Sequence, residues 1–74
     1  MEVDLVITRP GDKTLLFEIK STTNVTEEQV KPLIGISADI SNSEAYCISL
    51  DKTPKKFQNV NCLHWEEALE LFFK

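Results

Sequence analysis

The chain has 74 residues, 42% of them apolar and 27% charged, with only two glycines and three prolines. That balance excludes a linker or a disordered tail, and the length excludes a second core beside the first. A net charge of −4 argues against attraction to nucleic acid through bulk charge, because phosphate binding rests on accumulated Lys and Arg.

Residues 2–8 are rich in β-branched side chains, and Val3, Leu5 and Ile7 alternate with Glu2, Asp4 and Val6, the period of a half-buried strand. Arg9, Pro10, Gly11, Asp12 and Lys13 gather strong turn formers, since Pro presets φ, Gly accepts positive φ and Asp can bond its own backbone. Residues 14–20 resume the alternation, with Leu15, Phe17 and Ile19 on one face and Leu16, Glu18 and Lys20 on the other. The two segments are predicted to form an antiparallel hairpin.

Thr26 with Gln29 three positions later makes a capping-box pattern, and Glu27 and Glu28 suit a helix N-terminus. Val30, Leu33 and Ile34 follow at helical spacing, while Pro32 and Gly35 predict a kink or a restart. Ser41 to Ser43 end the helix, and the apolar run of residues 44–50 predicts a buried strand, closing a βαβ crossover over 14–50. Residues 51–56 read as a loop and 57–63 as a short fourth strand. From His64 to Lys74, the residues Trp65, Ala68, Leu69 and Phe72 share one helical face. The predicted architecture is a single α/β domain, ββαββα, on a mixed sheet.

Cys47 and Cys62 sit in strand-like runs without the close paired spacing of a zinc or redox motif, so they read as small buried hydrophobes. No apolar run approaches the ~18 residues of a membrane span, and the N-terminus does not follow a signal-peptide pattern, so no membrane association and a cytoplasmic setting are expected. The triplet Asn24-Val25-Thr26 matches a glycosylation acceptor, which would need a secreted context that nothing else supports.

The hairpin carries the candidate chemistry. With residues 9–13 in the loop, Thr8 lies opposite Thr14, Asp4 faces Glu18 and Glu2 faces Lys20. Directly opposed residues have Cβ atoms about 4.5–5.5 Å apart, and like charges at that spacing repel. A hard divalent cation would reconcile them, since Mg²⁺ is held by one or two carboxylates with waters and substrate oxygens. Lys20, on the Glu18 face, could orient an attacking water or stabilise developing negative charge. The alternative is a solvated sheet surface on which Lys20 and the acids form exposed ion pairs worth little. Val6 and Leu16 on that same face make a simply solvated surface the poorer description.

Asp4, thirteen intervening residues and then Glu18-Ile19-Lys20 resembles the Asp…Glu-x-Lys signature of the PD-(D/E)XK nuclease superfamily. Residues 2–7, the run Phe17 to Ser21 and the closing Cys62 to Leu69 are similar to the nuclease-like domain that ends many prokaryotic AAA-type ATPases. The resemblance implies Asp4 and Glu18 as Mg²⁺ ligands, the Ile19 carbonyl as a further ligand and Lys20 as catalytic. It also implies a core that normally begins with an additional helix and strand. On that basis residues 1–74 are expected to be a truncated restriction-endonuclease-like core, the C-terminal part of a longer ancestral or parent protein. An incomplete site and an exposed edge along residues 2–8 would follow, the edge inviting dimer formation. Two functions result: a Mg²⁺-dependent nuclease acting on DNA or RNA, or a non-catalytic domain that docks on an ATPase or on a second copy.

Other conspicuous residues read more plainly. His64 precedes a helix and is expected to cap it or lie at the surface; Trp65 and Phe72 are expected in the core. Lys52, Lys55 and Lys56 are expected in a solvated turn. Gly11 belongs to a turn and no Walker motif is present, so any ATPase activity would belong to another domain.

Overall fold

Gly11 turns the chain with φ of 83°, in the left-handed region that a side chain disfavours. The computed structural model describes residues 5–8 and 11–72. Strands β1 (Leu5–Ile7) and β2 (Thr14–Ile19) pair antiparallel around this turn, with Leu5 opposite Phe17, Val6 opposite Leu16 and Ile7 opposite Leu15. This is the register expected from a loop at residues 9–13. The Glu2 and Asp4 positions of the expected hairpin lie outside the described residues.

Helix α1 (Glu27–Asp39) starts where the Thr26 amide donates to Gln29 Oε1 at 3.0 Å, one half of the expected capping box. The helix runs through Pro32 without a restart. Proline costs roughly 3 kcal/mol in a helix interior, yet Val30 and Leu33 on the inner face are wholly buried, and their burial outweighs one missing hydrogen bond. Asn42, at φ 58°, reverses the chain into β3 (Ser43–Ser49), which lies parallel to β2. The βαβ crossover is therefore present.

Beyond β3 the expected single strand is two. β4 (Lys55–Phe57) and β5 (Val60–His64) form a hairpin around Gln58, whose φ of 56° breaks the expected strand of residues 57–63. β5 lies parallel to β3, and the five-stranded mixed sheet has the order β1-β2-β3-β5-β4. The edge strand β4 carries Lys55 and Lys56, charges that discourage further pairing along a sheet edge. The chain ends its described part in α2 (Trp65–Phe72). No helix among the described residues is long and apolar enough to cross a membrane.

The two faces of the sheet are covered unequally. Leu16, Val25, Val30, Leu33, Ala45, Cys47, Val60 and Cys62 form the core between α1 and the sheet, and both cysteines are free and buried, as expected. On the other face Phe72 of α2 meets Phe17 and Tyr46 edge-on, with ring centroids 5.1 and 4.9 Å away. The expectation that Trp65 lies in the core is corrected: Trp65 is 44% and Leu69 48% exposed. A single helix is about 10 Å across whereas five strands spread over roughly 20 Å, so among the described residues α2 shields only part of that face.

Candidate functional site

Strand β2 points Leu16 and Glu18 to the α1 face, and the register aligns Glu18 with Cys47 and Cys62 across three strands. Glu18 is only 5% exposed. Burying a carboxylate is costly unless it is compensated, and Lys20 Nζ lies 3.8 Å from Glu18 Oε2. The Lys20 amide donates to the Ile48 carbonyl at 2.9 Å, which fixes the backbone from which that ammonium departs. Glu18 and Lys20 are thus brought together as expected. The Ile19 side chain, on the other face, is 64% exposed, so only its carbonyl could serve the same site. Asp4 lies outside the described residues. A carboxylate and a main-chain carbonyl are hard oxygen donors that suit Mg²⁺ rather than a soft metal. Among the described residues no three His, Cys, Asp or Glu side chains gather as a metal cluster.

A second feature escaped the sequence reading. On the face that α2 only partly covers, Leu5, Phe17, Ile19, Ile48, Trp65, Ala68 and Leu69 line an apolar groove of about 270 Å³. An adjoining hollow runs past Trp65 to Lys20, Ser21 and Leu50. The helical periodicity marked Trp65 and Leu69 as apolar-facing, which they are; periodicity holds no information about whether anything covers that face.

Residues 1–68 match the model of the family described as Domain of unknown function (DUF4143). The chain belongs to the DUF4143 family. This family is found in proteins associated with AAA-type ATPases. No curated protein and no solved structure matches the chain. The DUF4143 match takes in the whole sheet, α1 and half of α2, and so contains Glu18, Ile19, Lys20 and most of the groove.

Elsewhere in this DUF4143 chain the polar residues serve the fold. Asp51, 5% exposed, accepts from the Val25 and Thr53 amides at 2.9 Å each and from Lys55 Nζ at 2.6 Å. The same ammonium donates to Asn24 Oδ1 and the Val25 carbonyl. The Lys55 ammonium, followed by the two backbone donors, holds the Asp51 carboxyl down at about 2. The solvated turn expected around Lys55 is therefore corrected: this lysine is a clasp between the loop before α1 and the start of β4. His64 Nδ1 accepts from the Glu66 amide at 3.3 Å, which caps α2 as expected.

Proposed function

We propose that this DUF4143 domain is a PD-(D/E)XK nuclease-like module with an incomplete Mg²⁺-dependent phosphodiesterase site, carried in the cytoplasm beside an ATPase. One observation supports it above the rest: the buried Glu18 carboxylate has the Lys20 ammonium 3.8 Å away, the acid and amine of the Glu-x-Lys pattern side by side on β2. In this reading Asp4, Glu18 and the Ile19 carbonyl would hold the ion, and a bound Mg²⁺ would supply Lewis acidity. Lys20 holds a water for in-line attack and offsets negative charge as it develops on the phosphate. Glu18 keeps the ammonium in place. The free buried thiols of Cys47 and Cys62 suit a reducing compartment.

Calorimetric titration with Mg²⁺ and with Mn²⁺ tests the site. The parent chain is expected to bind, and Asp4→Asn and Glu18→Gln should each weaken binding by about tenfold or more. A parent chain that takes up neither ion removes the metal-site reading.

The apolar groove favours a second reading, a non-catalytic docking module for an ATPase domain or for a second copy of the chain. Leu5, Ile19, Trp65 and Leu69, between 44% and 64% exposed, form a contiguous patch of the kind that marks interaction sites. The mass in solution distinguishes self-pairing, including pairing through the β1 edge, from docking on another protein.

A further inference from the structure

One row of side chains crosses four strands beneath α1. Glu18 on β2 is opposite Cys47 on β3, Cys47 is opposite Cys62 on β5, and Cys62 is opposite Lys55 on β4. The two cysteines at the centre of the row are 0% and 2% exposed, and their thiols are hydrogen-bonded to one another. Residues opposed on neighbouring strands stand about 4.8 Å apart, inside the roughly 4.4–6.8 Å that separates the Cα atoms of a disulfide. Both side chains leave the sheet on its α1 face, so their Cβ atoms keep about that separation, slightly wider than the ~3.5–4.5 Å of a relaxed disulfide. A bond closed there would be strained, and strained disulfides are the readily reduced ones. The charges flanking the pair differ, with a carboxylate beside Cys47 and an ammonium beside Cys62. The hydrogen bond from Cys47 lowers the Cys62 thiol from its ordinary value; Lys55 assists that shift, while burial and Asp51 oppose it. Cys62 is thus the better nucleophile, since the thiolate is the attacking form.

We propose that Cys47 and Cys62 are a peroxide-responsive pair that closes reversibly to a disulfide between β3 and β5, with Cys62 attacking and Cys47 resolving. The Cys62 thiolate attacks one peroxide oxygen and the O–O bond breaks. Hydroxide leaves and takes up the proton that the thiol released, giving water, and Cys62 becomes a sulfenic acid. The Cys47 sulfur then attacks the Cys62 sulfur; the S–S bond forms, the S–O bond breaks, and the departing oxygen leaves as a second water with the Cys47 proton. Two electrons pass from the thiols to the peroxide. Burial slows this sequence without forbidding it. At this chain length the core is marginal, and local opening of the α1 layer admits a molecule as small as hydrogen peroxide. In a reducing compartment the pair rests as thiols, and disulfides formed there are transient and redox-sensing. The proposal stands apart from both functional readings above, since it uses neither a bound ion nor the apolar groove.

The full chain is treated with hydrogen peroxide in native buffer, then unfolded in the presence of an alkylating agent, and its intact mass is measured. The expected product is a single chain lighter by two hydrogens that carries no alkyl group and yields one cross-linked peptide joining Cys47 to Cys62. Glutathione should restore both alkylatable thiols. The circular dichroism spectrum should be the same before and after oxidation, because the bond forms in the native register. Cys47→Ser should stop at a sulfenic acid on Cys62 that dimedone labels, and Cys62→Ser should be oxidised at least about tenfold more slowly than Cys47→Ser. Two alkyl groups on the peroxide-treated parent overturn the proposal, as do disulfide-linked dimers, or added oxygen atoms in place of the lost hydrogens. A spectrum that collapses on oxidation overturns it too, the bond then belonging to an unfolded chain. Equal rates for the two variants overturn the order of attack. If either variant fails to fold, the mass and spectrum of the oxidised parent decide the outcome.

Discussion

Two buried acids each lie beside an ammonium. Lys20 is 3.8 Å from Glu18, and Asp51 has Lys55 at 2.6 Å together with two backbone amides. The Asp51 carboxyl is held at about 2 against an ordinary value of 3.8. A folded-state value below the unfolded one gives stability that is complete above the unfolded value and is lost as pH falls through the folded one. Thermal unfolding followed by circular dichroism should therefore show the parent losing stability from about pH 4 down to about 2. Asp51→Asn should melt lower at neutral pH and follow a flatter course across that acid window. Equal slopes for the two proteins would remove Asp51 from the acid response. Glu44 contributes in the same direction, its carboxyl lowered by the Tyr46 hydroxyl and then by Lys13. Glu18 was legible in the sequence because strand alternation and hairpin register are local. Asp51 was not, since Val25 lies 26 residues away and no short-range pattern announces such a partner.

At the level of elements, α1 holds against its own composition. Gly35 lies on its exposed side, and a Cβ there would meet nothing within 4 Å. Gly35→Ala should stabilise the chain by about 0.5–1 kcal/mol, through the backbone freedom removed from the unfolded state. A urea midpoint that stays in place or falls would contradict this. The sequence carried both helices and β1 to β3 plainly, through their periods of 3.6 and 2 and the cap at Thr26. The β4–β5 hairpin was harder to see. Its turn falls at Gln58 and Asn59 rather than at Gly or Pro, and Lys55 and Lys56 have the composition of a loop until Asp51 is placed beside them.

For the molecule as a whole, the α1 side of the sheet holds the only cluster of fully buried aliphatic side chains among the described residues. At this chain length such a core supplies roughly 3–5 kcal/mol. Leu33, wholly buried, should cost about 2–5 kcal/mol when changed to Ala. Leu33→Ala is accordingly expected to be largely unfolded at 37 °C by circular dichroism, whereas Leu69→Glu on the open face stays folded. A cooperative melt for Leu33→Ala near that of the parent would show that the core is not where the stability lies.

The succession of β1, β2, α1, β3 and α2, the strand alternation that puts Glu18 and Lys20 on one face, and the apolar stripe of α2 were determined by the sequence alone, because each depends on spacing within a few residues. Only the tertiary structure decided that Asp51 and Lys55 clasp distant loops and that, among the described residues, Trp65 and Leu69 in the stripe of α2 are exposed. Both depend on how far apart in space the chain sets its parts: one helix is narrower than a five-stranded sheet, and the period of its side chains does not state how much surface they will meet.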